Sequence, residues 1–342
     1  MVRLKDIAQI AGVSIMTVSK VLRDAPDISA ATKVRVKLLA DQMGYVPNSM
    51  AQGLRTRSSK TLGLIISAMT NPLYARMVMA IQESAFASGY QVLLEFSMNL
   101  PEQEETAIRR FLARRVDGIL ISPVYDLASQ STTYSELKKR DIPVVILGHT
   151  TDYCSGFVNI ETDDIQASYE LTQHLIELGH RQIAFFTGPK ASPWSEERFE
   201  GYSRALREAR IGVNDSLIFT AGSTIAEGRK AALQFLQEAP KATALQAAND
   251  LIAIGVAEEI LKAGHRIPND FSLTGFGNIL TSEFYRVPLT TVRQPKHRLG
   301  TQAMEVMKTL LKGEKASSMR LPAELQIRES TAPPPGNVTD LS

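Results

Sequence analysis

From Thr61 onward the chain repeats one pattern, a short apolar run rich in Val, Ile, Leu and Phe followed by a longer amphipathic stretch. The runs fall at 61–67, 91–96, 117–122, 143–148, 182–187, 242–248 and 271–276, and the amphipathic stretches at 73–88, 101–115, 164–178, 197–209, 226–238 and 251–263. Continuous apolarity over roughly 4–8 residues marks strands buried on both faces, and parallel strands need a helical crossover between them. The pattern predicts an α/β body of doubly wound parallel sheets. Four runs precede residue 150 and the rest follow it, which fits two similar lobes better than one large sheet.

The first 46 residues have a different rhythm. Ile7, Ala8 and Ala11 share one helical face, Gly12-Val13 makes a turn, and Ser14 is a good N-cap for a second helix carrying Val18, Val21 and Leu22. Ser29 can cap a third helix with Val34 and Leu38 on one face, and Gly44 stands where a C-cap glycine belongs. This predicts an all-α helix–turn–helix head over 1–46. Pro47 breaks the chain, and 47–60 reads as a short helix and polar linker. Residues 1–60 hold ten Lys and Arg against four Asp, a net of +6 within an overall +2. A basic head on a mildly acidic body suits a polyanion, although a charge bias of this kind taken alone is more often a solvated surface.

Eight segments occur in family order: DIAQIAGVSIMTVSKVL, ISAATKVRV, GYVPNSMAQGLRT, NPLYARMVMAIQESA, HLIELGHRQIAFFTGP, RFEGY, AAND and PLTTVRQP. Together they resemble the lactose-repressor/galactose-repressor family over nearly the whole chain. The resemblance implies a dimeric repressor of a palindromic operator whose periplasmic-binding-protein-like body, 61–330, binds a small molecule. It divides that body into an N-lobe of about 61–160 plus 292–321 and a C-lobe of about 161–291 plus 322–330, followed by a disordered tail, 331–342.

The same resemblance implies roles for single residues. Ile15, Met16 and Lys20 choose operator sequence, the first two by apolar contact such as with thymine methyls. Ser14, Thr17, Ser19, Ser29 and Thr32 position phosphates, and Arg23 adds a contact. Asn48, Ala51 and Leu54 lie in a hinge helix whose leucine wedges into the minor groove. In the body, the implied effector residues are Leu73, Tyr74, Asp163, Trp194, Arg198, Asn249, Asp250 and Gly277.

Bland roles compete with several of these. Arg198 can be a surface ion pair with Glu196 or Glu197, Trp194 can be plain packing, and Asn249-Asp250 can merely cap a helix. The family usually carries Asp after Gly-Phe in the strand ending SLTGF, whereas this chain has Gly277. With that acid gone and Arg198 offering a positive fork, the effector is either a neutral saccharide or a sugar acid.

Catalysis and cofactors are not expected. The GFGNIL segment has Leu280 where a dinucleotide loop needs its third glycine, and neither a phosphate-loop nor a Gly-x-Ser-x-Gly string occurs. The histidines His149, His174, His180, His265 and His297 are scattered, and Cys154 is the only cysteine, so no metal site is expected. The polar start and the lack of an apolar run near ~18 residues predict a cytoplasmic, nucleoid-associated protein with no membrane partner. They also argue against a transport-type binding protein.

Overall fold

The computed structural model describes residues 2–46, 58–68, 71–126, 132–238 and 241–336. Two compact units are present, residues 1–59 and 60–342.

In the first unit, α1 (Leu4–Ala11), α2 (Ile15–Val21) and α3 (Ala30–Gln42) enclose a small core of Ile7, Ala8, Ala11, Val18, Val21, Val36 and Ala40. Gly12 ends α1 at φ +64°, a left-handed conformation that glycine adopts without strain. Ser14 and Ser29 accept from the amides of Thr17 and Thr32, capping α2 and α3. The third helix departs from expectation. Val34 and Leu38 share a face, but it is the exposed one, at 69% and 56%, and Val36 and Ala40 face the core instead.

The second unit holds twelve strands and nine helices among the described residues. In chain order they are β1 (Thr61–Ile66), α4 (Leu73–Ala87), β2 (Gln91–Phe96), α5 (Pro101–Arg114), β3 (Gly118–Ile121), α6 (Thr132–Lys139), β4 (Val144–Leu147) and β5 (Val158–Thr162). Next come α7 (Asp164–Glu177), β6 (Ile183–Thr187), α8 (Pro193–Glu208), β7 (Ile218–Thr220), α9 (Ile225–Glu238), β8 (Ala244–Ala247), α10 (Asp250–Lys262), β9 (Ser272–Thr274) and α11 (Leu280–Phe284). The chain ends with β10 (Thr291–Arg293), α12 (Lys296–Leu311), β11 (Met319–Leu321) and β12 (Glu324–Gln326).

One lobe is a six-stranded parallel sheet, order β11-β5-β4-β3-β1-β2, and the other a four-stranded parallel sheet, order β7-β6-β8-β9. Separate apolar layers cover the two faces of the larger sheet, one built on Leu62, Leu64 and Met307, the other on Ile65, Phe111 and Ile121. The smaller sheet is buried in a Phe-rich core with Phe185, Phe186, Phe219 and Phe235. Gly300 brings α12 onto α4, because a side chain there would meet the Met77 carbonyl and Ala80. The chain crosses between the lobes after β5, after β10 and after β11, and β10 pairs antiparallel with β12 in this crossover.

The start of the expected disordered tail is instead held in place. The Ala332 carbonyl accepts from Ser272 Oγ at 2.8 Å and lies 2.9 Å from His180 Nε2, while Thr331 Oγ1 sits 3.1 Å from His174 Nε2. These contacts satisfy otherwise buried polar groups, which is why the chain remains pinned beyond Ser330.

Candidate functional site

Parallel strands leave their carboxyl ends open to ligands, and here both sheets aim those ends at one cleft of about 410 Å³. Ser67 follows β1, Ser122 follows β3, His149 follows β4 and Thr162 ends β5. From the other lobe come Asn249 after β8 and Gly277 after β9. The size suits a small polar molecule, since ligand clefts run about 300–1,000 Å³.

A buried ion pair sits on the cleft wall. Arg198, on α8, donates from one terminal nitrogen to Asp164 Oδ2 at 3.0 Å and from the other to the Ala248 carbonyl at 2.6 Å. Its guanidinium carbon lies 3.7 Å from the Phe276 ring centroid and 4.7 Å from that of Trp194. Burial works against both charges, raising the Asp164 pKa and lowering that of Arg198. Asp164 Oδ1 and Arg198 Nε have no partner.

Next to this pair stands His149. Its Nε2 lies 3.0 Å from Glu197 Oε2, 3.8 Å from Asp164 and 3.9 Å from Glu161. Burial opposes the imidazolium, but the bond to Glu197 and the fields of Asp164, Glu197 and Glu161 outweigh it and hold the ring's pKa above its ordinary value. Arg320, on β11, reaches Glu161 at 2.8 Å and Glu197 at 2.7 Å.

Deeper in the other lobe, Asp250 is almost fully saturated. Its Oδ1 accepts from Thr291 Oγ1 at 2.5 Å, and Oδ2 accepts from the Ile279 amide at 2.9 Å and Ser282 Oγ at 2.7 Å. Burial still raises its pKa above the ordinary carboxylate value. Asn249 caps α10 through Ile252 and donates to the Ser223 carbonyl. Gly277 has φ +136°, and a Cβ there would stand 3.4 Å from Asp250 Oδ2. On the opposite lip Tyr74 Oη, Ser67 Oγ and Ser122 Oγ form a triangle with sides of 2.8–3.1 Å.

In the head, Ile15 and Met16 are 52% and 66% exposed in the first turn of α2, so they are not core residues. Ser14 and Thr17, and likewise Ser29 and Thr32, bond each other at two helix starts. Lys20 pairs with Asp27, and Arg23 Nε donates to the Ser19 carbonyl at 2.9 Å. Asn48, Ala51 and Leu54 lie outside the described residues.

Residues 59–329 match the model of periplasmic binding proteins and the sugar-binding domain of the LacI family, and residues 3–48 match that of bacterial regulatory proteins of the lacI family. Catabolite control protein A of Priestia megaterium is 32% identical over 96% of this chain and 99% of its own. The transcriptional repressor PurR of Vibrio atlanticus is 31% identical over 90% of this chain and 91% of its own. The chain belongs to the LacI family. It is accordingly a DNA-binding transcriptional regulator. A crystal structure of the lac repressor dimer bound to operator and an anti-inducer superposes with a TM-score of 0.88, at 29% identity, over 97% of this chain and 99% of that one.

Within this LacI-family body, Leu73, Tyr74, Trp194, Arg198, Asn249, Asp250 and Gly277 all line the cleft. Asp163 does not. It is spent as the N-cap of α7, accepting from Gln166 at 3.2 Å, and Asp164 enters the cleft in its place. The alternative of a surface pair between Arg198 and Glu196 or Glu197 is also overturned, since Arg198 is buried and its carboxylate partner is Asp164. Asn278, which follows Gly277, does not line the cleft, and its side-chain oxygen accepts from Arg328. Sequence reasoning missed His149, Glu161, Glu197 and Arg320. No group of His, Cys, Asp and Glu able to hold a metal is present among the described residues.

Proposed function

We propose that this regulator binds a two-fold operator as a homodimer and is controlled by an uncharged, polyhydroxylated ligand, a saccharide, in the cleft. The observation that carries the ligand class is the internal spending of charge. Both terminal nitrogens of Arg198 are engaged, and Arg320 and His149 answer Glu161 and Glu197. A sugar acid meets these carboxylates without a free positive fork. Hydroxyls on the Ser67–Tyr74–Ser122 lip and the amide of Gln294 suit a neutral sugar, as does the likeness to the sugar-binding domain of the LacI family. The relatives are regulators, and this chain acts in the same way by binding rather than catalysis, in the cytoplasm where the chromosome lies.

Exposed apolar side chains support a second copy as partner. Met79 and Phe86 are seven residues apart on one face of α4, at 58% and 84% exposure, and Leu94 lies on the edge strand β2. In the head, α2 reads bases through Ile15 and Met16, the capping hydroxyls meet phosphates, and Leu54 is the minor-groove wedge. Lys20 exchanges Asp27 for DNA.

A thermal-shift screen followed by calorimetry tests the ligand class. Neutral mono- and disaccharides stabilise the full chain, and matched uronic and aldonic acids do not. Stabilisation by the acids alone contradicts the reading.

A further inference from the structure

The side chains around His149 come from both lobes. His149 follows β4 and Arg320 lies on β11, both in the six-stranded sheet, while Glu197 stands on α8 over the four-stranded one. His149 Nε2 to Glu197 Oε2, at 3.0 Å, and Arg320 to Glu197 Oε1, at 2.7 Å, therefore tie one lobe to the other across the mouth of the cleft. Three chain crossings also join the lobes, an arrangement suited to hinge closure.

We propose that His149, Glu197 and Arg320 form an inter-lobe latch, strong while the imidazole is protonated and weakened when it is neutral. The charged groups facing His149 are Glu161 from β5, Asp164 from α7, Glu197 from α8, and the two arginines that share these carboxylates, Arg198 and Arg320. Tyr125 Oη donates to the His149 carbonyl at 2.9 Å and fixes the ring's backbone against the lip. With three carboxylates within 4.0 Å, the proton on His149 belongs to the closed arrangement. Separating the lobes removes Glu197 and Asp164 and their share of that field. A neutral ring still donates one N–H but no longer carries charge, so the tie loosens without vanishing.

The sign follows from linkage. His149 holds its proton more tightly when the latch is closed, so closure is favoured at low pH and lost as pH rises through the closed-state pKa. Affinity for any ligand that needs the closed cleft falls in the same window. That consequence rests on the reading of the cleft as the effector site. The test uses no effector, so the latch and the effector reading fail separately.

Trp194, the only tryptophan, lines the cleft three residues before Glu197 and reports the approach of the lobes. Ring NMR of the histidines and Trp194 emission are followed on the full chain from about pH 5 to about pH 9, spanning imidazole titration. In the wild type, His149 titrates above 6.5 and the emission steps at the same midpoint. His149→Gln keeps a neutral donor and removes the emission step. Glu197→Gln retains an acceptor and lowers the His149 midpoint, because the carboxylate charge that holds it up is gone. A flat wild-type emission, a step that survives His149→Gln, or a His149 midpoint indifferent to Glu197→Gln overturns the latch.

Discussion

Arg198 and Asp164 form a buried ion pair at 3.0 Å in which one atom of each, Arg198 Nε and Asp164 Oδ1, has no partner. Both atoms are buried, so each carries an uncompensated desolvation cost inside the wall of the cleft.

Breaking the pair exposes its cost. Arg198→Ala leaves Asp164 buried without its guanidinium and destabilises the body by about 3–5 kcal/mol. The double variant with Asp164→Ala loses less than the sum of the single ones, by about 0.5–3 kcal/mol. Urea denaturation followed by circular dichroism checks both, and additive losses refute the coupling.

Restoring an acid at 277 does not restore a sugar-chelating site. A Cβ there faces Asp250 Oδ2 at 3.4 Å, and φ is +136°. Gly277→Ala costs about 1–3 kcal/mol through backbone strain, and Gly277→Asp costs more through like-charge repulsion. Thermal denaturation gives the order wild type, Ala, Asp from most to least stable. An Asp variant as stable as wild type contradicts this.

Glu104 supplies a second pH dependence, behind the cleft. Its Oε2 accepts from the Val124 amide at 2.6 Å and its Oε1 from Tyr134 Oη at 2.9 Å, and burial raises its pKa from 4.5 to about 7. The folded state therefore favours the protonated acid. Its contribution to stability is fully present below 4.5 and is lost as pH rises through about 7. Glu104→Gln flattens the dependence of the urea midpoint on pH over that window. An unchanged slope shows that another group dominates.

In the head, Ile15→Ala and Met16→Ala leave the melting of an isolated 1–46 peptide unchanged while reducing discrimination between operator variants by about 1–3 kcal/mol. Val18→Ala instead lowers stability, because Val18 is fully buried. Equal destabilisation by all three assigns Ile15 and Met16 to the core.

The parallel body was legible because most of its strands are short, continuous apolar runs buried on both faces. The strands β7, β9, β10, β11 and β12 span three residues each, and only β9 falls within a longer apolar run, 271–276. Helix α6, TTYSELKK, hides only Thr133, Tyr134 and Leu137 and reads as polar. Glu197 and Arg320 became site residues only through tertiary contact. His149 was within reach of sequence reasoning, since it directly follows an apolar run whose carboxyl end had to open into the cleft. The Asp163-Asp164 doublet was also decipherable, because one acid capping α7 leaves the next to turn inward.

Ligand binding in the cleft is coupled to DNA binding by the head. A duplex selected from a randomised pool is titrated with the full chain by fluorescence anisotropy, with and without the saccharide that gives the largest thermal shift. The selected sequence is two-fold symmetric, and the operator Kd shifts by about 5–150-fold with the sugar. An identical Kd in both titrations contradicts it.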